Sequence, residues 1–556
     1  MKFKRIRNPL PIVTIPEAFQ RAVFENPDRI ALMMKIGDKW EKVTYKELMK
    51  KVRRFASYLK KIGVKKGEHI ALRGANSFEW IISALSILWL GGVIVPLDAR
   101  LTLSEVLHFM KLSDTKFIIT DDSAIDSQDE VRYLFFKDIN RLMGETEIEM
   151  TKYEPEELAV LFSTSGTTSD SKIAMLTHKN IISNISQMYQ ALFFKPGDTQ
   201  FLILPLHHVF PFTVAFVLSL TLGLTISIGR SLKPNEMKED LIHTKPQIFI
   251  VVPLLLEKVV KGIEKEIKKQ KIIKKGMLKI FEGISIPFLR TNFKVASKTL
   301  FRPIRKGLGL ERLRYLISGG SALPVWVSRK LELWGFPILQ GYGLTETSPV
   351  LSVNPPSRPK NASVGLPLPD VEIKIIEPID GIGEIVAKGD NIFKGYYKNE
   401  NATRNAFIDG WFRTGDLGYI DRYGYIYIAG RAKSVIVTKG GKNIYPEEIE
   451  EKLQDIEYIS EVLVTMEIDE RSNTEELTAN IYPNWEAIDN YCKENNIPVD
   501  NDKIYEIISK EIQKKNEHLA DYKKIRRIVI RDEEFPKTAA MKIKRYLFID
   551  KGKILK

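Results

Sequence analysis

Two uncharged apolar runs, Trp80 to Leu97 and Val209 to Gly229, do most to limit the folds open to this chain. Each is long enough to be weighed as a membrane span. Both break in the same way, however. Trp80 to Leu90 reads as a buried helix, Gly91-Gly92 as a turn and Val93 to Pro96 as a strand. Phe212 to Leu222 reads as a helix, Gly223 as a turn and Leu224 to Ile228 as a strand. An apolar helix, a glycine and a β-rich run make a helix–turn–strand unit, not a lipid-facing span. Its duplication points to two similar α/β subdomains.

The 556 residues exceed what one core holds, so two or more domains are expected. Glycine punctuation and aromatic strands after Gly395-Tyr-Tyr-Lys398, as in Tyr423-Gly-Tyr-Ile-Tyr-Ile-Ala429, suggest a β-rich subdomain. The single cysteine, Cys492, excludes a disulfide framework and a cysteine-rich metal site, and the 7 histidines argue against zinc. A reducing cytoplasm fits. The basic start, Met1 to Pro9, is followed by no apolar core, so it reads as no export signal.

The formal net charge of +14 is unevenly placed. Lys261 to Arg314 carries 11 Lys and 5 Arg against 4 Glu, a net +12. A diffuse nucleic-acid surface does not explain so local an excess, and no nucleic-acid partner is expected. Within the segment, Ile273, Met277, Ile280, Phe281 and Ile284 recur at helical spacing. A basic helix with one apolar face can lie on an anionic membrane. It can equally pack on the large domain with its lysines in water.

The chemistry starts at Ser163-Thr-Ser-Gly-Thr-Thr-Ser-Asp-Ser-Lys172. Small hydroxylated residues around one glycine offer many donors to an oxyanion, and Lys172 adds a positive charge. No glycine directly precedes Lys172 and Ile173 follows it, so this is not the Walker-type loop. Gln340-Gly-Tyr-Gly-Leu-Thr-Glu346 is the second signal. Gly341 and Gly343 allow close backbone approach, and Tyr342 offers a flat face to a purine. Thr345 can bond a phosphate oxygen. Glu346 is a hard oxygen ligand suited to Mg²⁺, which one or two carboxylates plus substrate phosphates usually hold. Upstream stands Ser318-Gly-Gly-Ser-Ala322. Gly319, Gly320 and Ser321 there form either a slot for a planar base or a plain strand-to-helix turn.

Three more motifs follow: Trp411-Phe-Arg-Thr-Gly-Asp-Leu-Gly418 with Ala429-Gly-Arg431, then Lys439-Gly-Gly-Lys-Asn-Ile-Tyr-Pro446, then Pro536-Lys-Thr-Ala-Ala-Met-Lys-Ile-Lys-Arg545. In this order the motifs resemble those of the adenylate-forming superfamily of acyl-CoA synthetases, firefly luciferase and peptide-synthetase adenylation domains. The chain is most like long-chain fatty acid–CoA ligases. It departs from the family pattern at Ser169 and Ile173, usually Gly, at Ser171, usually Pro, and at Met541, usually Gly.

The resemblance implies an α/β fold. A large N-terminal domain, residues 1–430, would hold two similar α/β subdomains plus the β-rich one. A small mobile α+β domain, residues 431–556, would follow, with its hinge near Lys433. The resemblance also implies roles. Thr164, Ser165, Gly166, Thr167, Thr168 and Lys172 would hold the β- and γ-phosphates of ATP, with Gly319, Gly320, Ser321, Gln340, Gly341, Tyr342, Gly343 and Thr345 around the nucleotide. Asp416 would bind the ribose hydroxyls and Arg431 the ribose or phosphate. Glu346 would hold Mg²⁺ with the hydroxyl of Thr164 or Thr167 nearby. Lys542 is the catalytic lysine by position, bridging carboxylate and α-phosphate. In the second half-reaction the loop with Gly440 and Gly441 would take its place, and a thiol would expel AMP.

Leu204-Pro-Leu-His-His-Val-Phe-Pro-Phe212 resembles the family's histidine–aromatic motif. His208 takes the histidine position, and Phe212 an aromatic position that can gate an acyl tunnel. The uncharged segment that follows suits an alkyl chain, although a core helix and strand would look the same. A fatty acid, long-chain for preference, is therefore the expected substrate and CoA the acceptor. The rival acceptor is an acyl carrier protein, whose acidic surface the basic segment could also meet. From another class, the chain could be a catalytically impaired membrane-associated binding protein of the same fold. The expected location is cytoplasmic, with a peripheral place on the inner face of the membrane open to the basic segment.

Overall fold

The computed structural model describes residues 3–122, 131–164, 172–269, 299, 301–438, 442–469, 474–537 and 543–548. Both apolar runs fold as helix, turn and strand. In the first, Ser77 caps the helix Phe78–Trp89 by accepting from the Trp80 amide. Gly91 makes the turn at φ 74°, and the strand Val93–Leu97 is buried throughout. In the second, the helical turn Val209–Pro211 runs through Phe212–Val217 into Leu218–Thr221. Gly223 turns at φ 72°, and the strand Thr225–Ile228 follows. The helix differs from expectation in one respect: Phe212–Val217 winds as a π-helix, a form found mostly in short pieces at functional sites. No helix among the described residues is long and apolar enough to cross a membrane.

The two units enter different sheets. One sheet orders its strands Gly395–Tyr396, Ile173–Thr177, Leu158–Ser163, Val93–Leu97, His69–Arg73, Phe117–Thr120 and Arg132–Phe135. The other runs Leu366–Pro367, Val350–Val353, Ile338–Gly343, Tyr315–Ser318, Ile248–Val251, Thr199–Leu202, Thr225–Ile228, Ile30–Ile36 and Lys39–Thr44. The central pairs of both are parallel, so both faces need covering by helices. The helices of the two duplicated units meet between them. Trp80 stands edge-on to Phe212 and Phe216, with centroids 6.3 and 5.9 Å apart, and Phe162 meets Phe212 at 5.4 Å. Phe212 is fully buried. Cutting a ring so placed to alanine costs about 3–5 kcal/mol.

A third, antiparallel sheet joins Glu372–Ile379, Ile382–Lys388, Trp411–Ile420 and Phe407–Ile408, with Ile426–Arg431 on the free side of Trp411–Ile420. This is the β-rich part expected from the aromatic strands. Beyond it, Ile459–Asp469, Thr474–Pro483 and Arg527–Ile530 form a small sheet. The helices Pro446–Gln454, Trp485–Glu494 and Asn501–Asn516 accompany it. Buried residues from Ile444 to Ile525 make a core of their own, separate from the large core that spans both parallel sheets.

Of the basic segment, the helices Pro253–Lys269 and Arg302–Gly307 are described. Positions 270–298, with Ile273, Met277, Ile280, Phe281 and Ile284, lie outside the described residues.

Candidate active site

The strands Leu158–Ser163 and Ile173–Thr177 pair antiparallel as a hairpin. Its mouth is closed by the Thr164 amide, which donates to the Lys172 carbonyl at 2.8 Å, and by the Thr164 hydroxyl on the same oxygen at 3.2 Å. Ser165, Gly166, Thr167 and Thr168 lie between these ends, outside the described residues. Thr177 then caps the helix His178–Ala191, exchanging hydrogen bonds with Asn180. Buried asparagines tie that helix to two site segments. Asn180 Nδ2 donates to the Asp390 and Ile392 carbonyls at 2.8 Å each. Asn184 brackets Val350, donating to its carbonyl at 2.7 Å and accepting from its amide at 3.0 Å. Asn391 Nδ2 donates to the Thr347 carbonyl at 2.9 Å.

Those ties fix Glu346 in the short 3₁₀ turn Thr345–Thr347. Its carbonyl accepts from the Phe393 amide at 2.8 Å, and its Oε1 accepts from the Tyr396 hydroxyl at 2.7 Å. The Lys172 ammonium lies 5.0 Å from the centre of the Tyr396 ring. A carboxylate and the hydroxyl of Thr164 are oxygen donors of the kind Mg²⁺ takes when phosphates supply the rest. Among the described residues there is no group of three or more His, Cys, Asp or Glu side chains able to hold a metal. A metal shared with substrate phosphates fits this donor set better than a dedicated cage.

Tyr342 and Asp416 meet directly. Tyr342 lies on the strand Ile338–Gly343 and donates its hydroxyl to Asp416 Oδ2 at 2.7 Å. Asp416 and Arg431 face each other in register across two antiparallel strands, and Arg431 Nε lies 2.7 Å from Asp416 Oδ1. Asp416 is buried, while half of the Arg431 side chain remains in water. Burial, then the Asp416 charge, pushes the Tyr342 phenol well above its ordinary range, so it stays a donor. Glu384 stiffens this corner by accepting from Arg413 Nε at 2.9 Å and from the Gly415 amide at 3.2 Å. Tyr342 and Glu346 lie on the adjoining strand Ile338–Gly343 and turn Thr345–Thr347, which joins the Asp416 and Glu346 groups.

The glycines divide by what encloses them. A Cβ on Gly343 would stand 1.7 Å from the Pro349 carbonyl oxygen, so the backbone itself demands glycine there. At Gly341 the nearest atom would be 3.5 Å away, an ordinary contact. A Cβ on Gly319 would stand 3.1 Å from the Phe210 ring, and Gly320 has φ 90°. Ser321 is exposed. Gln340 is buried and lines a small cavity with Leu323, Ser328 and Asn354.

Phe210 belongs to the histidine–aromatic loop, which Asn76 holds by donating to the Leu204 carbonyl at 2.9 Å and accepting from the Leu206 amide at 3.0 Å. The rings of His207 and His208 lie 4.2 Å apart, and His207 Nε2 is 3.5 Å from Asp98 Oδ2. Burial pushes Asp98 up, but hydrogen bonds from Arg100 outweigh it and hold the carboxyl at about 2. Burial, then the His208 charge, pushes His207 down to about 3. A neutral imidazole therefore faces a carboxylate at ordinary pH. Phe212 sits behind this loop in the aromatic core.

The last motif is pinned on both flanks, by Lys537 to Glu461 and by Arg545 to buried Glu450. Lys542 itself, like Gly440 and Gly441, lies outside the described residues. Lys433 is exposed in the short turn Ala432–Ser434 that follows Arg431.

The model of the AMP-binding enzyme family matches residues 19–397. The chain belongs to the AMP-binding enzyme family. As a member it is an adenylate-forming, acyl-activating enzyme. Long-chain-fatty-acid–CoA ligase FadD15 of Mycobacterium tuberculosis is 30% identical over 79% of this chain and 78% of that protein. The chloroplastic long-chain-fatty-acid–[acyl-carrier-protein] ligase AEE15 of Arabidopsis thaliana is 27% identical, covering 81% and 74%. Among solved structures, o-succinylbenzoate CoA synthetase (MenE) from Bacillus subtilis is 25% identical. With its acyl-adenylate OSB-AMP it aligns at TM-score 0.75 over 96% of this chain and 98% of that one. With ATP and magnesium ion it aligns at 0.74 over 95% and 98%. The large and small domains of this AMP-binding enzyme thus follow a known adenylate-forming architecture. Sequence reasoning had passed over Asp98, Glu384 and the buried asparagines of the site. It met Tyr396 only as part of a glycine-punctuated stretch.

Proposed function

We propose that this enzyme activates a long-chain fatty acid with ATP and passes the acyl group to the thiol of CoA, releasing AMP and pyrophosphate. The observation that carries the nucleotide half is the joined cluster of Tyr342, Asp416 and Arg431 with Glu346, Tyr396 and Lys172. It places a buried anion suited to ribose hydroxyls beside a carboxylate and a cation suited to metal-bound phosphates. MenE, which binds ATP and magnesium ion and forms an acyl-adenylate, has the same fold.

In the first half-reaction a carboxylate oxygen of the acid attacks the α-phosphorus, and the bond to pyrophosphate breaks. The protein's part is alignment and charge neutralisation. Asp416 and Arg431 would hold the ribose, and the Ser163 to Lys172 loop the outer phosphates. Lys542 would bridge the carboxylate and the α-phosphate. Glu346 and Thr164 would hold Mg²⁺, which supplies charge neutralisation at the phosphates when bound. In the second half-reaction the thiol sulfur attacks the acyl carbon, the bond to AMP breaks and the thiol proton passes to solvent. The small domain would swing about Lys433 between the two, exchanging Lys542 for the Gly440–Gly441 loop. The acyl end is assigned to the loop of His208 and Phe210 and to the apolar segment behind it, with Phe212 at its inner side.

The long-chain reading draws support from the relatives named for that substrate. The AEE15 relative supports a second reading, transfer to an acyl carrier protein. Purified enzyme with ATP and Mg²⁺, a ladder of fatty acids, o-succinylbenzoate, and CoA or carrier protein decides among them. Acyl thioester should form best with long chains and CoA. Preference for the aromatic acid would overturn the substrate, and thioester on carrier protein alone would overturn the acceptor.

A further inference from the structure

Tyr396 stands in none of the motifs that carry the nucleotide reading, yet the fold aims it at two of them. The short strand Gly395–Tyr396 pairs antiparallel with Ile173–Thr177, with Tyr396 opposite Ala174. The Lys394 and Tyr397 amides extend the ladder onto the Met175 and Ile173 carbonyls at 3.0 and 2.8 Å. This register sets the ring beside Lys172, whose ammonium is 5.0 Å from its centre. The hydroxyl donates to Glu346 Oε1 at 2.7 Å. Phe393 locks the arrangement. Its ring meets Tyr396 edge-on at 4.9 Å, and its amide donates to the Glu346 carbonyl at 2.8 Å.

We propose that Tyr396 is a positioning residue with two arms: its hydroxyl fixes one oxygen of Glu346 so that the other is offered to a phosphate-bound divalent cation, and its ring carries the Lys172 ammonium at the end of the phosphate loop. The proposal rests on reading Glu346 as the carboxylate that meets the metal of ATP. A flexible glutamate held by a hydrogen bond pays less ordering cost when a metal arrives, and such outer partners commonly change metal affinity 10–100-fold. A cation over an aromatic face is held electrostatically while it stays free to turn toward a phosphate.

Calorimetric titration of ATP into the full-length protein across a Mg²⁺ series, with no acid or acceptor present, reads binding and not turnover. Tyr396→Phe keeps the ring and removes the hydroxyl. It should raise the half-saturating Mg²⁺ concentration about tenfold and leave ATP affinity at saturating Mg²⁺ within about twofold of wild type. Tyr396→Leu removes both arms and should weaken ATP a further roughly threefold at saturating Mg²⁺. Glu346→Gln should shift the Mg²⁺ curve by itself, and adding Tyr396→Phe to it should change nothing more. If Glu346→Gln shifts the curve and Tyr396→Phe does not, the positioning role is overturned and the metal reading stands. If neither shifts it, both fall. An equal Tyr396→Phe shift in the Glu346→Gln background would place its action elsewhere and overturn the proposal. A melting temperature like that of wild type in the phenylalanine variant separates these outcomes from misfolding.

Discussion

At the scale of single residues, the nucleotide reading stands on Asp416. It is buried, with Arg431 on one oxygen and the Tyr342 hydroxyl on the other. Those partners keep its charge in place before any ribose arrives, so recognition needs little rearrangement. Asp416→Asn removes the charge and leaves Arg431 without its counter-ion. A hydrogen bond to a charged group is worth about 1.5–3 kcal/mol, so ATP affinity should fall roughly 10-fold to 100-fold. Wild-type enzyme should also prefer ATP over 2′-deoxy-ATP, and the variant should lose most of that preference in a competition titration. Retained discrimination would remove Asp416 from the ribose. Asp416, Arg431, Tyr342, Glu346 and Lys172 were all legible as motif residues, because each sits in a run whose residue types are chemically unusual together. Tyr396 and Glu384 were not. Tyr396 reaches a carboxylate 50 positions away in the chain, and such a bond leaves no local pattern to read.

At the scale of elements, the two helix–turn–strand units were legible because a glycine between an apolar helix and a β-rich run has few alternatives. Their duplication pointed to two similar α/β subdomains, and one unit enters each parallel sheet. The sequence did not reveal that Phe212–Val217 would wind as a π-helix, which depends on packing between segments far apart in the chain, such as Trp80 against Phe212. Another long-range joint sits at the start of the helix His178–Ala191. The Ile15 amide, opening the helix Ile15–Glu25, donates to His178 Nδ1 at 3.2 Å. The ring is fully buried beside Tyr153, and burial depresses its pKa from 6.5 to about 3. Below pH 6.5 the unfolded chain therefore takes up a proton that the folded chain refuses. This part of the stability is intact above that pH and is lost as pH falls toward 3, by about 1.4 kcal/mol per unit. His178→Gln should lower stability at pH 7 yet flatten its decline between pH 6 and 4. His207, depressed for the same reason, keeps part of the slope. Urea unfolding followed by tryptophan fluorescence at several pH values checks this. Parallel pH profiles for variant and wild type would show that the buried ring is not the titrating group.

At the scale of the whole molecule, the chain builds two separate cores. The small body can keep its own packing while it changes what it presents. The helix Pro446–Gln454 of the small body lies against the strand Ile426–Arg431, which carries Arg431. Lys537 to Glu461 and Arg545 to Glu450 tie the described flanks of the last motif to the small body's own fold, so the segment that carries Lys542 should travel with that body. If it serves only the first half-reaction, Lys542→Ala should slow formation of acyl-adenylate by roughly 100-fold or more, the scale at which loss of one preorganised donor is felt in such transfers. Thioester formation from preformed acyl-adenylate and CoA should stay within about threefold of wild type, because a group that acts in one transition state affects only that step. The two half-reactions are measured separately, as pyrophosphate release with fatty acid and ATP, and as acyl-CoA formed from supplied adenylate. Equal losses in both, in protein that unfolds like the wild type, would mean that Lys542 remains at the site throughout and that the small body does not exchange it.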